Sequence, residues 1–244
     1  MDLLIKANRS FFFTIKNNDI CYTNDKIKGE YLIYLIVNHY QDDILNSRKI
    51  IDSLYAEYSN QDKYFDDLIP NEQVQVLWIR SLMNSSFDTY DLQIKDILLK
   101  STVFLEKDVS SYNFLDLYNF THDVMFSADF GSNKIFSDFS KDIQDSIWRK
   151  AKTNLYLALL SKHVDLLFEY AITLLILNKA ANYKYEKELT ALFNLVYESF
   201  ILPYFQDNKK INKQNYHTFL VLGLLSGTYE RTKRNTRENT KIIG

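Results

Sequence analysis

Val164-Asp165-Leu166-Leu167-Phe168-Glu169-Tyr170-Ala171-Ile172-Thr173-Leu174-Leu175-Ile176-Leu177 is apolar on nearly every side of a helical wheel. A helix that is hydrophobic all round must be covered on every face, so this stretch predicts a central buried helix in an all-α fold. The longest apolar runs of the chain, Tyr31–Val37 and Ala171–Leu177, are each about a third of a membrane span, which argues against a membrane protein.

Apolar residues recur at helical spacing on both sides of that segment. Ser140 to Leu160 carries Ile143, Ile147, Tyr156 and Leu159, and Glu186 to Tyr204 carries Leu189, Leu192, Phe193, Val196 and Phe200, with Pro203 near its end. Gln214 to Tyr229 comes next, with Phe219, Leu220 and Leu224. Upstream, Pro70-Asn71 reads as a helix start, because a proline at the first helical position loses no hydrogen bond. Val74, Leu77, Trp78 and Leu82 continue it, and Ile94, Ile97 and Leu98 belong to the next element. Three earlier helices are expected: one around Leu3–Phe12, one over Glu30–Tyr40, and one capped by Asp42 or Asp43. About ten helices in antiparallel pairs result, arranged as an α/α toroid or solenoid-like bundle. With 5 Gly and 2 Pro in 244 residues, the chain lacks the turn-formers that a β-rich fold of this size would need. Asp62–Asn71 is read as a loop. One domain is expected over residues 1–230, then a basic, flexible tail at 231–244 that carries Arg231, Lys233, Arg234, Arg237 and Lys241.

The net charge of −2 provides no field for a polyanion, so no nucleic-acid partner is expected. The single Cys21 excludes an internal disulfide and fits a reducing compartment, and the N-terminus reads as no secretory signal. Cytoplasmic localisation is the expectation. GxGxxG, P-loop, GxSxG and HExxH patterns are absent, as are DDxxD aspartate clusters, so dinucleotide, NTP, serine-hydrolase, zincin and terpene chemistries are disfavoured. Phe11-Phe12-Phe13 suits core packing or a partner surface.

Two histidine segments stand out among the chain's 4 histidines. The first is Asn119-Phe120-Thr121-His122-Asp123-Val124-Met125-Phe126-Ser127-Ala128-Asp129-Phe130-Gly131; the second, Asn215-Tyr216-His217-Thr218 running to Gly227, opens an apolar helix. Adjacent helical residues point about 100° apart, so His122 and Asp123 do not face one another. His122 and Asp129 share a face if the helix continues that far. Such a pair suits a general base with its orienting carboxylate, giving His122, Asp129 and His217 as candidate catalytic residues. If His122 and His217 line one cavity, His122, Asp123 and His217 form a candidate two-His-one-carboxylate metal set. The alternative is structural: Thr121 caps a helix, Asp123 lies in its first turn, and His122 and His217 are core or cap residues. The His-Asp pair is also the core of the HD phosphohydrolases. That family's spacing is not met, because His39 lies 83 residues upstream of His122 and no downstream Asp stands out. His39 falls at a helix end and His163 at a linker. No cofactor is specified by any of these residues.

Thr121-His122 followed by Asp129-Phe130-Gly131, and Tyr216-His217-Thr218 leading into Leu220–Gly223, resemble an uncharacterised all-helical bacterial family found near peptide natural-product gene clusters. A helix like Asp165–Leu177 followed by Asn182–Leu195 fits its pattern too, and the resemblance covers Tyr112–Gly227. It implies a tailoring or accessory role in peptide maturation and marks His122, Asp129 and His217 as the positions to watch. Two functions are therefore expected side by side. One is a binding or accessory protein whose Tyr- and Phe-lined groove docks a peptide or partner protein. The other is a metal-assisted or acid/base enzyme, hydrolytic or peptide-tailoring, that uses a His/Asp site.

Overall fold

In the computed structural model, which describes residues 33, 65–84, 88–105, 111–207 and 215–241, the chain is helical throughout its regular structure. The order is α1 (Pro70–Asn84), α2 (Asp88–Leu98), α3 (Phe114–Ser127), two 3-10 turns (Asp129–Gly131 and Ile135–Asp138), α4 (Lys141–Leu160) and α5 (Val164–Ala180). It continues as α6 (Glu186–Val196), a π-helical turn (Tyr197–Ile201), α7 (Leu202–Asp207) and α8 (Tyr216–Lys241). No strand occurs among the described residues, so the all-α expectation holds. α6, the π turn and α7 run on without a break, which leaves seven helical rods among the described residues where about ten were expected for the whole chain. The three N-terminal helices (apart from helical Ile33), Cys21, His39, and the Phe11–Phe13 cluster lie outside the described residues.

α5 is the central helix that its sequence demands. Every residue from Leu166 to Asn178 is buried, with α3, α4, α6 and α8 packed around it. The connection from α4 is only Ser161-Lys162-His163, and a linker that short between two long packed helices forces them antiparallel. Local signals set the other boundaries. Ser140 caps α4 by accepting from the Ile143 amide, and Asn113 and Asp116 form a reciprocal capping box at the start of α3. Thr121, expected as a cap, lies instead in the second half of α3, because Asn113 already provides the cap two turns earlier.

α3 stops at Ser127, and the chain then turns through backbone of the wrong hand for an L-residue helix. Asp129, Phe130 and Gly131 have φ of 44°, 48° and 88°. Left-handed backbone costs roughly 1–2 kcal/mol at a residue with a side chain. Ring packing and hydrogen bonds from neighbouring helices hold it. Phe130 is 1% exposed and packs edge-on against Trp78 and Phe126, the Trp78 indole N–H donates to Asp129 Oδ1 at 2.8 Å, and Lys179 Nζ donates to the Gly131 carbonyl. A Cβ at Gly131 would stand 3.1 Å from Thr232 Cγ2 on α8. Gly131→Ala combines a left-handed penalty with that crowding, and chemical denaturation is expected to show a loss of about 1–2 kcal/mol. An alanine variant as stable as the parent would mean that the turn relaxes freely.

Arg231 and Thr232, assigned by sequence to a flexible tail, are both buried, and α8 runs on to Lys241. No helix among the described residues is long and apolar enough to cross a membrane.

Candidate functional site

Two acidic side chains interrupt the apolar wheel of α5. Asp165 and Glu169 are four residues apart and therefore lie one above the other on a single face. Isolated carboxylates there would be costly, and each is met by a histidine and a threonine from a neighbouring helix. Glu169, 2% exposed, accepts a hydrogen bond from Thr121 Oγ1 at 2.6 Å and lies 3.7 Å from His122 Nε2. Asp165 accepts from Thr218 Oγ1, and its Oδ2 lies 3.1 Å from His217 Nδ1. The Thr121-His122 dipeptide of α3 and the His217-Thr218 dipeptide of α8 thus clamp successive turns of the central helix.

The surroundings are aromatic. Phe114, Tyr118, His122 and Phe126 recur every four residues along α3, with neighbouring ring centroids 4.9, 6.1 and 5.8 Å apart. His163, at the N-cap position of α5, inserts against Phe114 at 4.5 Å and Tyr118 at 6.0 Å. Its Nδ1 is buried without a hydrogen bond. Three of the chain's 4 histidines therefore gather at the first turns of α5.

Electrostatics are set by this packing. Burial, then the charges of Glu169 and Asp165, push the Tyr118 hydroxyl well above its ordinary range, so it is a neutral donor. For Asp165 burial alone would raise the carboxyl. The His217 and Thr218 hydrogen bonds, with the nearby charges of His217 and His163, outweigh it and hold the group below its ordinary value. Burial raises Tyr204, against which the Thr218 hydrogen bond acts, while the Asp165 charge adds to the rise. The His217 and His122 side chains remain 34% and 32% exposed, so both rings are reachable from solvent. A histidine backed by a carboxylate and reachable from solvent is equipped to bind a polar group.

His122 and His217 meet on one helix, while neither Asp123 nor Asp129 joins them. Asp123 points to a different face of α3, as the 100° step between adjacent residues requires. There it is 0% exposed and accepts from Asn71 Nδ2 at 3.1 Å. Burial drives its carboxyl up to about 7; hydrogen bonding to Asn71 and Ser101, the charge of His122 and the Thr102 backbone pull the other way and only partly offset it. Asp129 fails to share a face with His122 because α3 ends two residues before it. Its carboxylate instead receives Trp78 and lies 3.7 Å from Arg231 Nη1. The His122, Asp123 and His217 set is accordingly not assembled, and no group of three His, Cys, Asp or Glu side chains suited to a metal occurs among the described residues. The carboxylates that do pair with the histidines, Asp165 and Glu169, are not among the residues singled out by sequence. Their signal was available: two acids at i and i+4 in a helix with no solvent face.

Fold and site define an all-α protein built on a buried central helix, with two histidine–carboxylate pairs on its first turns. Residues 66–227 match the family described as Domain of unknown function (DUF6895), and the chain belongs to that family. The match reaches further toward the N-terminus than the Tyr112–Gly227 resemblance and takes in α1 and α2, including the Asn71 and Trp78 partners of Asp123 and Asp129. No curated protein and no solved structure matches the chain.

Proposed function

We propose that the protein is a helical accessory protein that docks a peptide at the histidine end of α5, in the cytoplasm of a bacterium that matures peptide natural products. The observation that carries this is an apolar rim beside the histidines. Leu160, Leu115 and Phe114 are 81%, 62% and 50% exposed, and Phe114 contacts the His163 ring. Exposed apolar side chains grouped around partly exposed polar groups are the makeup of a peptide-docking surface, with anchors for affinity and donors for register. Glu169, by contrast, is occupied by Thr121 and withdrawn from solvent, which suits a clamp more than a reacting group.

The test uses fluorescently labelled synthetic peptides encoded beside the gene, titrated with the full chain. The Leu115→Glu/Leu160→Glu double variant is expected to weaken binding at least tenfold, with its far-UV circular dichroism unchanged because both positions face solvent. No saturable binding up to about 0.1 mM, or equal binding by the double variant, would overturn the proposal.

One observation favours the acid/base alternative. His217 is half-buried with its ring reachable from solvent and is backed by the ionised Asp165, the arrangement of a general base with its orienting partner. A mass change in a bound peptide that disappears in His217→Gln but survives in Leu115→Glu would move the assignment from docking to catalysis.

A further inference from the structure

α1 is fastened to α3 and to the turn after it at two points, Asn71 and Trp78, which lie two helical turns apart on one face. At the first, the Asn71 amide donates to Asp123 Oδ1 at 3.1 Å and to the Asn119 carbonyl at 3.4 Å, and Gln75 Nε2 donates to Asn71 Oδ1. At the second, the Trp78 indole donates to Asp129, and its ring lies edge-on to Phe126 and Phe130. The two aspartates are not equivalent. Asp129 lies 3.7 Å from Arg231 Nη1, whereas the fully buried Asp123 meets neutral groups of α1 and of the turn after α2. We propose that the Asp123 contact is a pH-sensitive latch, in which ionisation of the carboxyl releases α1 and α2 from α3 while the helices around α5 stay folded.

Burial and charge carry the argument. A carboxylate in a dry helix contact is costly unless a cation or several well-placed donors face it. From α1 comes the neutral Asn71, and Glu72 beside it is exposed and accepts from the Ile69 N–H. From the turn after α2 come Ser101 and the Thr102 backbone, and Lys100 beside them is exposed. Asp123 Oδ2 is buried without a hydrogen bond of good geometry, so these donors do little to support a charge there. From α3 itself the titratable neighbour is His122, which points to a different face, toward Glu169. Release hands the carboxyl to water, where its ordinary value of 3.8 applies, against about 7 in the closed contact. The closed form therefore binds the extra proton, and opening becomes about tenfold easier for each pH unit between those values. α1 and α2 pack on each other and on α3, which lets them leave as one unit. The Lys95–Asp138 pair that also ties α2 down is exposed and worth little.

The latch stands independently of peptide docking, and its test needs no peptide. Native-state amide hydrogen exchange on the full chain is read by mass spectrometry at pH 5, 6, 7 and 8, with intrinsic exchange rates divided out. Protection of the α1 and α2 amides is expected to fall about a hundredfold from pH 5 to pH 8, and at pH 8 to lie at least about tenfold below that of α5. Asp123→Asn keeps the shape of the contact without its charge and should flatten the profile. Asn71→Ala supplies a second variant. It removes a donor that favours the ionised form, so the native value rises and the fall in protection continues to higher pH. Equal protection of α1 and α5 at pH 8 would show that the pair has no opening of its own. That result, a flat profile in the parent, a fall that persists in Asp123→Asn, or one that Asn71→Ala leaves unmoved would each overturn the proposal.

Discussion

Asp123→Asn is expected to stabilise the protein more at pH 8 than at pH 5, with the difference between the two pH values about 2–3 kcal/mol. The native carboxyl holds its proton up to about 7, against an ordinary 3.8, because it is 0% exposed in the α1–α3 contact. The unfolded chain releases that proton near 3.8. Between those values the native state binds the extra proton, so the stability contributed by Asp123 falls as pH rises from about 4 to about 7 and is flat above. The full gap between 3.8 and about 7 corresponds to about 4 kcal/mol. Asparagine is neutral at every pH, fits the same space, and can still accept from Asn71 Nδ2. Urea unfolding at pH 5 and pH 8 for both proteins reads the effect. Parallel pH profiles would show that the buried carboxyl is ionised after all.

Asp165 has the opposite sign. Its native value lies below the ordinary one, so the stability it contributes is present above the usual carboxylate range and is lost only as acid carries the pH down through the lowered native value. Two aspartates flanking the same bundle therefore respond to pH in opposite directions. The difference lies in the balance of burial against partners: at the fully buried Asp123 the Asn71 and Ser101 hydrogen bonds and the His122 charge only partly offset burial, while at Asp165 the His217 and Thr218 hydrogen bonds and the histidine charges outweigh it.

Periodicity made the helical skeleton legible. Val164–Leu177 reads as a helix with no solvent face, and Pro70 and Ser140 mark starts that are found where expected. It failed at α3, where Thr121 resembles a cap but Asn113 and Asp116 form the actual box. The site was half legible. Two histidines of a four-histidine chain were conspicuous, and both do converge on α5. Their carboxylates were sought among near neighbours in sequence, whereas helix packing brought them from about 50 positions away, Glu169 to Thr121 and Asp165 to His217. Nothing local predicts that Asp129 leaves the helix, since a left-handed Asp-Phe pair is unfavourable by itself. It exists because Trp78, Lys179 and Arg231 hold it from three other helices.

Arg231→Met is expected to cost about 3 kcal/mol, because it removes one partner of a buried ion pair together with two hydrogen bonds. The guanidinium is 7% exposed, 3.7 Å from Asp129 Oδ1, and it donates to the Asp129 carbonyl at 3.1 Å and to Ser132 Oγ at 3.0 Å. Methionine fills similar volume, so the loss reports the charge and the donors rather than a void. For a chain of this size the midpoint of thermal unfolding should drop by about 6–12 °C. Arg231→Lys keeps the charge without the planar fork and should fall between the parent and methionine. The same measurement decides where the domain ends. Composition assigns residue 231 to a solvated basic tail, in which a single substitution changes stability by less than about 0.5 kcal/mol. A loss several times larger would instead make α8 beyond Glu230 a structural member that fastens the left-handed turn, and a loss below that limit would return the segment to the tail.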